Sequence, residues 1–569
     1  ILSGLVGSEM CIRDSDYIVV GAGSAGCVVA NRLSAERTTR VLLLEAGPRH
    51  DSVILKMPAA LGLPLESKRF NWGFKSEPEP GLNGNRSDQH RGRVLGGSSS
   101  INGMVFVRGN PLDFDGWAAA ALPDWSYSHC LPYFKKMETF DGGTDNFRGG
   151  SGPLHVHRCK ADNPLYQAFL GAGQDYGLRL NPDQNGERQE GVNVAQASTY
   201  KGERWSTARG YLDSAAGRDN LVVKSRAFVT GLVFSGKAAV GVKYEIDGVE
   251  QISHAAKEVI LSAGAFGSPQ LLLLAGIGDQ DELKALGIEL RHHLPGVGKN
   301  LQDHVAVAIQ YSTPKQGVSP TRALSPLGRL FVGARWMAAR SGLGASNYFE
   351  VGAFFRGNDQ VEYANLEHEF LPMVGEFYRG KARITPGFQY FTSVMRPASR
   401  GSVTLASKDP KADPLIRLNF LTAPGDLEQL REGLRKTREM IAQRSWDELR
   451  GEELSPGKHL QSDAELEAWI RDNAGTTFHA CSTCRMGVDE MAVVDHDGRV
   501  HGIDRLRIVD ASVFPALTTG NTNAPTIMLA EKLSDHILGQ VAAPMEVSAW
   551  REALAPALDK PGLPAGMPH

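Results

Sequence analysis

Cysteine is scarce in this chain, with six residues in 569. Setting Cys11 aside, Cys27, Cys130, Cys159, Cys481 and Cys484 are odd in number and widely spaced, a poor disulfide framework for a protein of this size. Reduced thiols in a cytoplasmic protein are the expectation. Net charge is nearly absent too: 61 basic side chains face 64 acidic ones, a formal sum of −3. Nothing in that balance points to nucleic acid or to a polybasic membrane surface. No stretch approaches the roughly 18 consecutive apolar residues that a bilayer span needs, and composition leaves peripheral attachment to an inner membrane open. The chain also lacks an initiator methionine. Residues 1–15 show no strand or helix period, resemble translated sequencing-adaptor read-through, and are set aside as non-native.

What is abundant is glycine, 63 residues, beside 30 prolines. They fall in short clusters without a repeat, which excludes collagen-like and low-complexity readings. The length calls for more than one domain. Residues 16–20 are a short β-branched and aromatic run, as in a buried parallel strand. Gly21, Gly23 and Gly26 follow at once, with Ser24 and Ala25 between them, and the chain continues with helical apolar spacing from Cys27. Residues 40–44 read as a second buried strand ending in Glu45. This is a βαβ unit of about the expected 30 residues. Gly21 permits the tight turn, Gly23 lets backbone approach a pyrophosphate, and Gly26 allows close helix–strand packing, while the helix N-terminus attracts phosphate. Glu45 is placed to accept hydrogen bonds from ribose hydroxyls. The motif alone does not separate NAD from FAD.

Further along, a second glycine cluster spans 92–100. Alternating residues predict strands over 220–244 with a turn at Ser235 and Gly236. A short strand over 259–262 runs through Gly264, Gly267 and Pro269 into a leucine-rich helix. The stretch 310–474 differs in texture, alternating at 387–395 and 401–405, with amphipathic helices at 426–443 and 463–471. It reads as a separate antiparallel sheet with covering helices. Residues 506–509 predict a strand and 523–538 a helix, and from 541 a Pro- and Ala-rich tail reads as partly disordered.

With segments 92–115, 264–278, 478–487, 506–512 and 520–526 in this order, the sequence resembles the glucose–methanol–choline (GMC) oxidoreductases, FAD-dependent enzymes that oxidise alcohols. The similarity covers 16–538 and departs at Ala275, where the family pattern has serine. Stretches at 70–80, 344–350 and 395–400 resemble the bacterial choline dehydrogenase branch, while 520–526 is shared with branches acting on aliphatic primary alcohols. The resemblance implies a Rossmann-like α/β FAD-binding domain (16–158, 200–309 and 476–545) and an α+β substrate-binding domain built on the antiparallel sheet (159–199 and 310–475), with a tail at 546–569.

It also implies site residues. His479 is the base and Asn521 the second catalytic position. FAD is met by Gly21, Gly23, Ser24, Ala25, Gly26 and Glu45 at the ADP half, and by Val94, Gly96, Gly97 and Ser98 along the pyrophosphate and ribityl chain. Asn102 and Gly103 approach the isoalloxazine ring, and Val229 meets adenine. Ala263, Asp510, Ala511 and Asn523 make further contacts, with a plain helix cap as the alternative for Asp510. A choline-like cation needs aromatic faces and a carboxylate; the candidates are Trp72, Phe74, Tyr348, Phe349, Glu350 and Phe478. The expected reaction takes a primary alcohol, choline first, to its aldehyde and passes electrons to a quinone-like acceptor. An oxygen-using oxidase and a non-catalytic flavin-binding redox sensor are the rivals. No metal is expected from the pairs His155–His157 and His292–His293, and Cys481 with Cys484 reads as packing. Asp303 and His304 match the family without an assigned role.

Covalently flavinylated relatives carry histidine where this chain has Ile101, which has no nucleophile, so FAD is expected to be held non-covalently. Acid precipitation of the purified protein then releases the yellow colour into the supernatant; flavin retained in the pellet overturns this.

Overall fold

The computed structural model describes residues 15–378 and 381–546. The readings of 1–14 as non-native and of 547–569 as a tail lie outside the described residues. Ser15, set aside with the leader, belongs to the first strand and pairs with Ala255. In chain order the strands that position the site are β1 (Ser15–Val20), β2 (Val41–Glu45), β3 (Gly191–Val194), β4 (Leu221–Ser225), β5 (Phe228–Ser235), β6 (Ala238–Ile246), β7 (Val249–Leu261), β8 (Val305–Tyr311), β9 (Val351–Phe355), β10 (Leu366–Leu371), β11 (Phe388–Val394), β12 (Glu453–Ser455), β13 (Gly475–Thr476) and β14 (Leu506–Ile508). The helices are α1 (Ser24–Leu33), α2 (Gly264–Leu274), α3 (Pro326–Ala339), α4 (Asp426–Ile441), α5 (Asp463–Asn473) and α6 (Asn523–Leu538).

The first seven-stranded sheet runs β4–β2–β1–β7–β6–β5, with β14 beside β7. β1 and β2 are continuous apolar runs because both faces are covered. Ile18, Val19 and Leu43 are fully buried, each contributing about 1.5–3 kcal/mol through burial. The predicted short strand at 259–262 is the far end of β7, whose first half is antiparallel to β6 and whose second half is parallel to β1. Only the second half carries the apolar run that the sequence shows. α2 starts at Gly264, ahead of Pro269, not after it. A proline inside a helix frees the carbonyl four residues earlier; here that carbonyl, Ala265 O, accepts the Thr483 hydroxyl at 2.6 Å.

The second seven-stranded sheet is antiparallel throughout, ordered β12–β8–β11–β10–β9–β3 with β13 also on β8. α4 and α5 cover it through Leu430, Leu434, Leu466 and Ile470. Trp446 stacks on Phe388, with ring centres 4.1 Å apart. We propose that each sheet is the centre of one domain, and that the second domain takes in all of β8 from Val305, because β8 pairs with β11 along its whole length. Among the described residues no helix is long and apolar enough to cross a membrane, and the five described cysteines are unpaired.

Gly26 faces the β1 turn so closely that an added Cβ would lie 1.9 Å from the Gly21 carbonyl oxygen. The Gly21 backbone on one side and Ser262 Cβ at 3.2 Å leave little room to give way. Gly26→Ala is expected to cost about 2 kcal/mol, read as a lower Tm and reduced flavin content after purification. An unchanged Tm and full flavin content overturn the close-approach reading.

Candidate active site

The site is assembled where β13 lies on β8, with Val305 opposite Thr476. That pairing brings the residues just before β8 against those just after β13. The Asp303 carboxylate accepts the His479 backbone N–H at 2.8 Å and the Thr476 hydroxyl at 2.5 Å. Burial pushes the Asp303 carboxyl up to about 6, against the pull of Arg91. Arg91 in turn donates to the Phe478 carbonyl at 2.9 Å, so the strand end bearing His479 is held from both sides.

A backbone carbonyl can only accept, and this fixes the protons of the site. His304 Nε2 lies 3.1 Å from the Met395 carbonyl and donates to it. Burial pushes the His304 imidazole down to about 3, so the ring is neutral and its Nδ1 carries a lone pair. His479 Nδ1, 2.9 Å away, must donate to that lone pair, and the Thr477 hydroxyl also reaches this Nδ1 at 2.9 Å. The remaining nitrogen, His479 Nε2, is therefore the unprotonated one, an acceptor. Burial, with His304 and Arg91 nearby, holds His479 well below the ordinary imidazole value, which keeps it neutral.

Asn521 completes the arrangement from the loop before α6. Its Nδ2 donates to His479 Nε2 and to Glu369 Oε1, both at 3.1 Å. Its Oδ1 is buried with no partner. Glu369 comes from β10, where it alternates with Glu367 on one face of the strand, opposite Phe391 of β11. Burial raises both carboxyls; at Glu367 the charge of Glu369 adds to it, and at Glu369 the Asn521 amide pulls the other way.

His479 and Asn521 open on a cavity of about 1870 Å³ that also contains the glycine loops. A site for one small ligand is typically about 300–1,000 Å³, so this space suits a large cofactor together with a substrate. Also on its wall, α1 has Gly23 as its N-cap residue and no side-chain cap, leaving first-turn N–H groups open to anionic phosphate. An added Cβ on Gly23 would approach only Ser262 O, at 3.9 Å, and one on Gly264 would meet nothing within 4 Å. Both glycines border space that a ligand can fill. The second glycine loop is pinned on the first by Gly96 N–H donating to Ala22 O at 2.7 Å. Buried Arg204 shapes that loop, donating to the Asn102 carbonyl and to Asn102 Oδ1 at 2.7 and 2.8 Å. The Glu45 oxygens accept Ala22 N–H and Gly47 N–H at 2.9 and 2.8 Å, and each has a second lone pair to offer. Burial lifts this carboxyl to about 7. Among the lining residues, Ser262 Oγ is a further buried polar atom without a partner. Uncapped helix ends, open glycines and unpartnered polar atoms make this donor set fit a dinucleotide such as FAD.

Most predicted residues line this one cavity: Gly21, Gly23, Ser24, Ala25, Glu45, Gly97, Ser98, Asn102, Gly103, Val229, Ala263, Asp510, Ala511 and Asn523, with His479 and Asn521. Of the substrate candidates, Trp72, Phe74, Tyr348, Phe349 and Phe478 do as well. Gly26, Val94, Gly96 and Glu350 are not in its lining. Gly26 and Gly96 serve packing and the loop-to-loop bond, and Val94 packs with Leu55, Phe70 and Ile101. Glu350 is a correction: it accepts the Ala161 N–H at 2.8 Å and the Ser346 hydroxyl at 2.5 Å, so its carboxylate is engaged by the fold. Asp510 acts as a cap, accepting Ser512 N–H at 2.8 Å, Gly264 N–H at 2.9 Å and the Ser268 hydroxyl at 2.6 Å, while still bordering the cavity. The Cys481 and Cys484 thiols are buried. His155 stacks on Tyr200, and His157 bonds Thr199 at 2.8 Å.

The reading of the sequence missed Glu369 and gave Asp303 and His304 no role. Two glutamates spaced by two in an otherwise strand-like apolar run, Leu366 to Leu371, were the available signal for the first. Asn521→Asp removes both amide donors and sets a carboxyl against Glu369. It is expected to lower the anaerobic flavin-reduction rate by about 10² with flavin content retained; a rate within threefold of wild type overturns the placement of Asn521.

The sequence matches the GMC oxidoreductase family over residues 15–306 for its N-terminal part and 397–530 for its C-terminal part. It is 48% identical over 536 residues to an oxygen-dependent choline dehydrogenase of Chromohalobacter salexigens, covering 93% of this chain and 96% of that protein. It is 47% identical to one of Paraburkholderia xenovorans, covering 94% and 96%. Among solved structures it is similar to pyridoxine 4-oxidase from Mesorbium loti, with TM-score 0.84, 28% identity and coverage of 92% and 99%. A crystal structure of formate oxidase gives TM-score 0.87, 26% identity and coverage of 92% and 98%. The chain belongs to the GMC oxidoreductase family.

Proposed function

We propose that this protein oxidises a primary alcohol to its aldehyde, with His479 as the base and Asn521 as the amide that orients the hydroxyl. The observation that carries this reading is the meeting of His479 Nε2 and Asn521 Nδ2, 3.1 Å apart, on the wall of the cavity whose other end holds Gly21, Gly23 and Glu45. FAD, the cofactor of the family, supplies a hydride acceptor when bound. Gly23, Ser24 and Ala25 would hold its pyrophosphate, Glu45 its ribose, and Asn102 with Gly103 its ring. Ile101, buried in the cavity wall, has no nucleophile, which supports a non-covalent attachment.

The chain's own part is proton handling and positioning. The substrate hydroxyl takes the place of the Asn521 amide at His479 Nε2 and gives its proton to that nitrogen, which the bonds running back through His304 to the Met395 carbonyl keep unprotonated. Asn521 steadies the oxygen as charge develops on it. The walls include Phe349, Phe391, Leu371, Met373, Ala306 and Ala308, which suits an alcohol with an apolar body. A second reading, choline, is favoured by the names of the 47–48% identical relatives. Against it, Glu350 is engaged elsewhere and burial raises Glu369. A quinone-like molecule is the acceptor we propose, and the relatives' names make oxygen the alternative.

Anaerobic bleaching of the flavin by 1-hexanol, benzyl alcohol, glucose and choline tests the reaction and the substrate together. An apolar alcohol is expected to reduce the flavin at least tenfold more efficiently than choline, and His479→Ala to slow reduction by ~10² or more. Faster reduction by choline selects the second reading, and near-normal reduction in His479→Ala removes the assignment of the base. Reoxidation of the reduced protein by a soluble quinone, faster than by air, is expected for the proposed acceptor; the reverse order with peroxide release selects the oxidase.

A further inference from the structure

Helix α3 stands out from the rest of the surface. Leu327, Leu330, Phe331 and Met337 are 71, 67, 72 and 53% exposed, and with Ala334 and Ala338 they recur at helical spacing along one side. The helix is firmly made: Ser325 caps it by accepting Gly328 N–H at 3.2 Å, and Trp336 anchors it, buried and donating to the Gly202 carbonyl at 2.7 Å. Its apolar row is therefore displayed on a built element. The surrounding segment, residues 312–349, contains no aspartate or glutamate and has Lys315, Arg322, Arg329, Arg335 and Arg340. Arg340 is paired with Glu203 and Lys315 with Glu448, while Arg322, Arg329 and Arg335 are exposed.

The same helix is one lip of the large cavity, which Arg329, Val332 and Gly333 line. The segment Ala59–Leu63, which joins two short helical turns, lines it as well, and Leu63 is exposed. We propose that α3 is a docking surface for an anionic lipid bilayer, lying in the interface with its apolar row inserted and its arginines among the headgroups. An exposed apolar stripe with neighbouring arginines and no acid is the chemistry of an interfacial helix, and each cation near an anionic surface raises partitioning about fivefold. Docked this way, the cavity lip rests on the membrane, and a lipid-soluble alcohol or acceptor enters without crossing water. The near-zero charge of the whole chain conceals this local excess.

Flotation of the FAD-loaded full chain with vesicles tests it, independently of the reaction. Binding to phosphatidylglycerol–phosphatidylethanolamine vesicles is expected, weakened by salt and about tenfold weaker on phosphatidylcholine alone. Leu330→Glu with Phe331→Glu is expected to lose at least tenfold in binding while flavin reduction by a water-soluble alcohol stays within twofold. Arg322→Gln with Arg335→Gln, which keeps the apolar row, is expected to lose only the preference for anionic lipid. Absence of vesicle binding by the wild-type chain overturns the proposal, as does equal binding by the double glutamate variant. So does a dimer in sedimentation velocity that Phe331→Glu dissociates, which would make a second copy the occupant.

Discussion

One hydrogen bond sets the chemistry of this site: the Met395 carbonyl, which has no proton to give, accepts from His304. Direction then propagates without choice through two imidazoles and an amide to Glu369. Each ring nitrogen along the way is fixed as donor or acceptor by its predecessor, and the unprotonated nitrogen on the cavity side is His479 Nε2, which accepts the Asn521 amide. A serine or water at the start of the chain could reverse; a backbone carbonyl cannot.

The two sheets are tied together at the place where this order is needed. β13 lies on β8 of the second sheet, yet the chain leaving it returns to the first sheet's side, where the Thr483 hydroxyl satisfies the carbonyl that Pro269 frees in α2. His479 thus sits where the two halves meet, beside a cavity that both of them wall. The arrangement is costly. Asp303, Glu367 and Glu369 are acids in low-polarity surroundings with few cations close by, and buried acids destabilise a fold unless bonded. Such concentrated local cost is expected where function, not stability, chose the residues.

Much of this was legible in the chain itself. The βαβ start, with Gly21, Gly23, Gly26 and Glu45, depends on local spacing, and local spacing is what a sequence displays. The antiparallel character of the middle region and helices α4 and α5 emerged from periodicity for the same reason. The length of β7 did not, because its first half pairs only with β6 and lacks a continuous apolar run. Nor did the start of α2, since the group that rescues the helix around Pro269 is Thr483, more than two hundred positions away. Glu350 shows the opposite failure. An acid beside two aromatics invites a cation-binding reading, but whether a carboxylate faces a cavity or a neighbouring backbone amide is decided by tertiary packing. Glu369 and His304 acquire their roles only through partners from other segments.

The two free cysteines that follow His479 in the chain have a consequence for durability. Cys481 is buried, and burial pushes its thiol up to about 12; burial raises the Cys484 thiol as well. At neutral pH both therefore stay thiols, and the thiolate is the form that oxidants and heavy metals attack. Should peroxide ever form in the cavity, sulfurs kept as buried thiols two and five residues beyond His479 resist the attack that a thiolate invites.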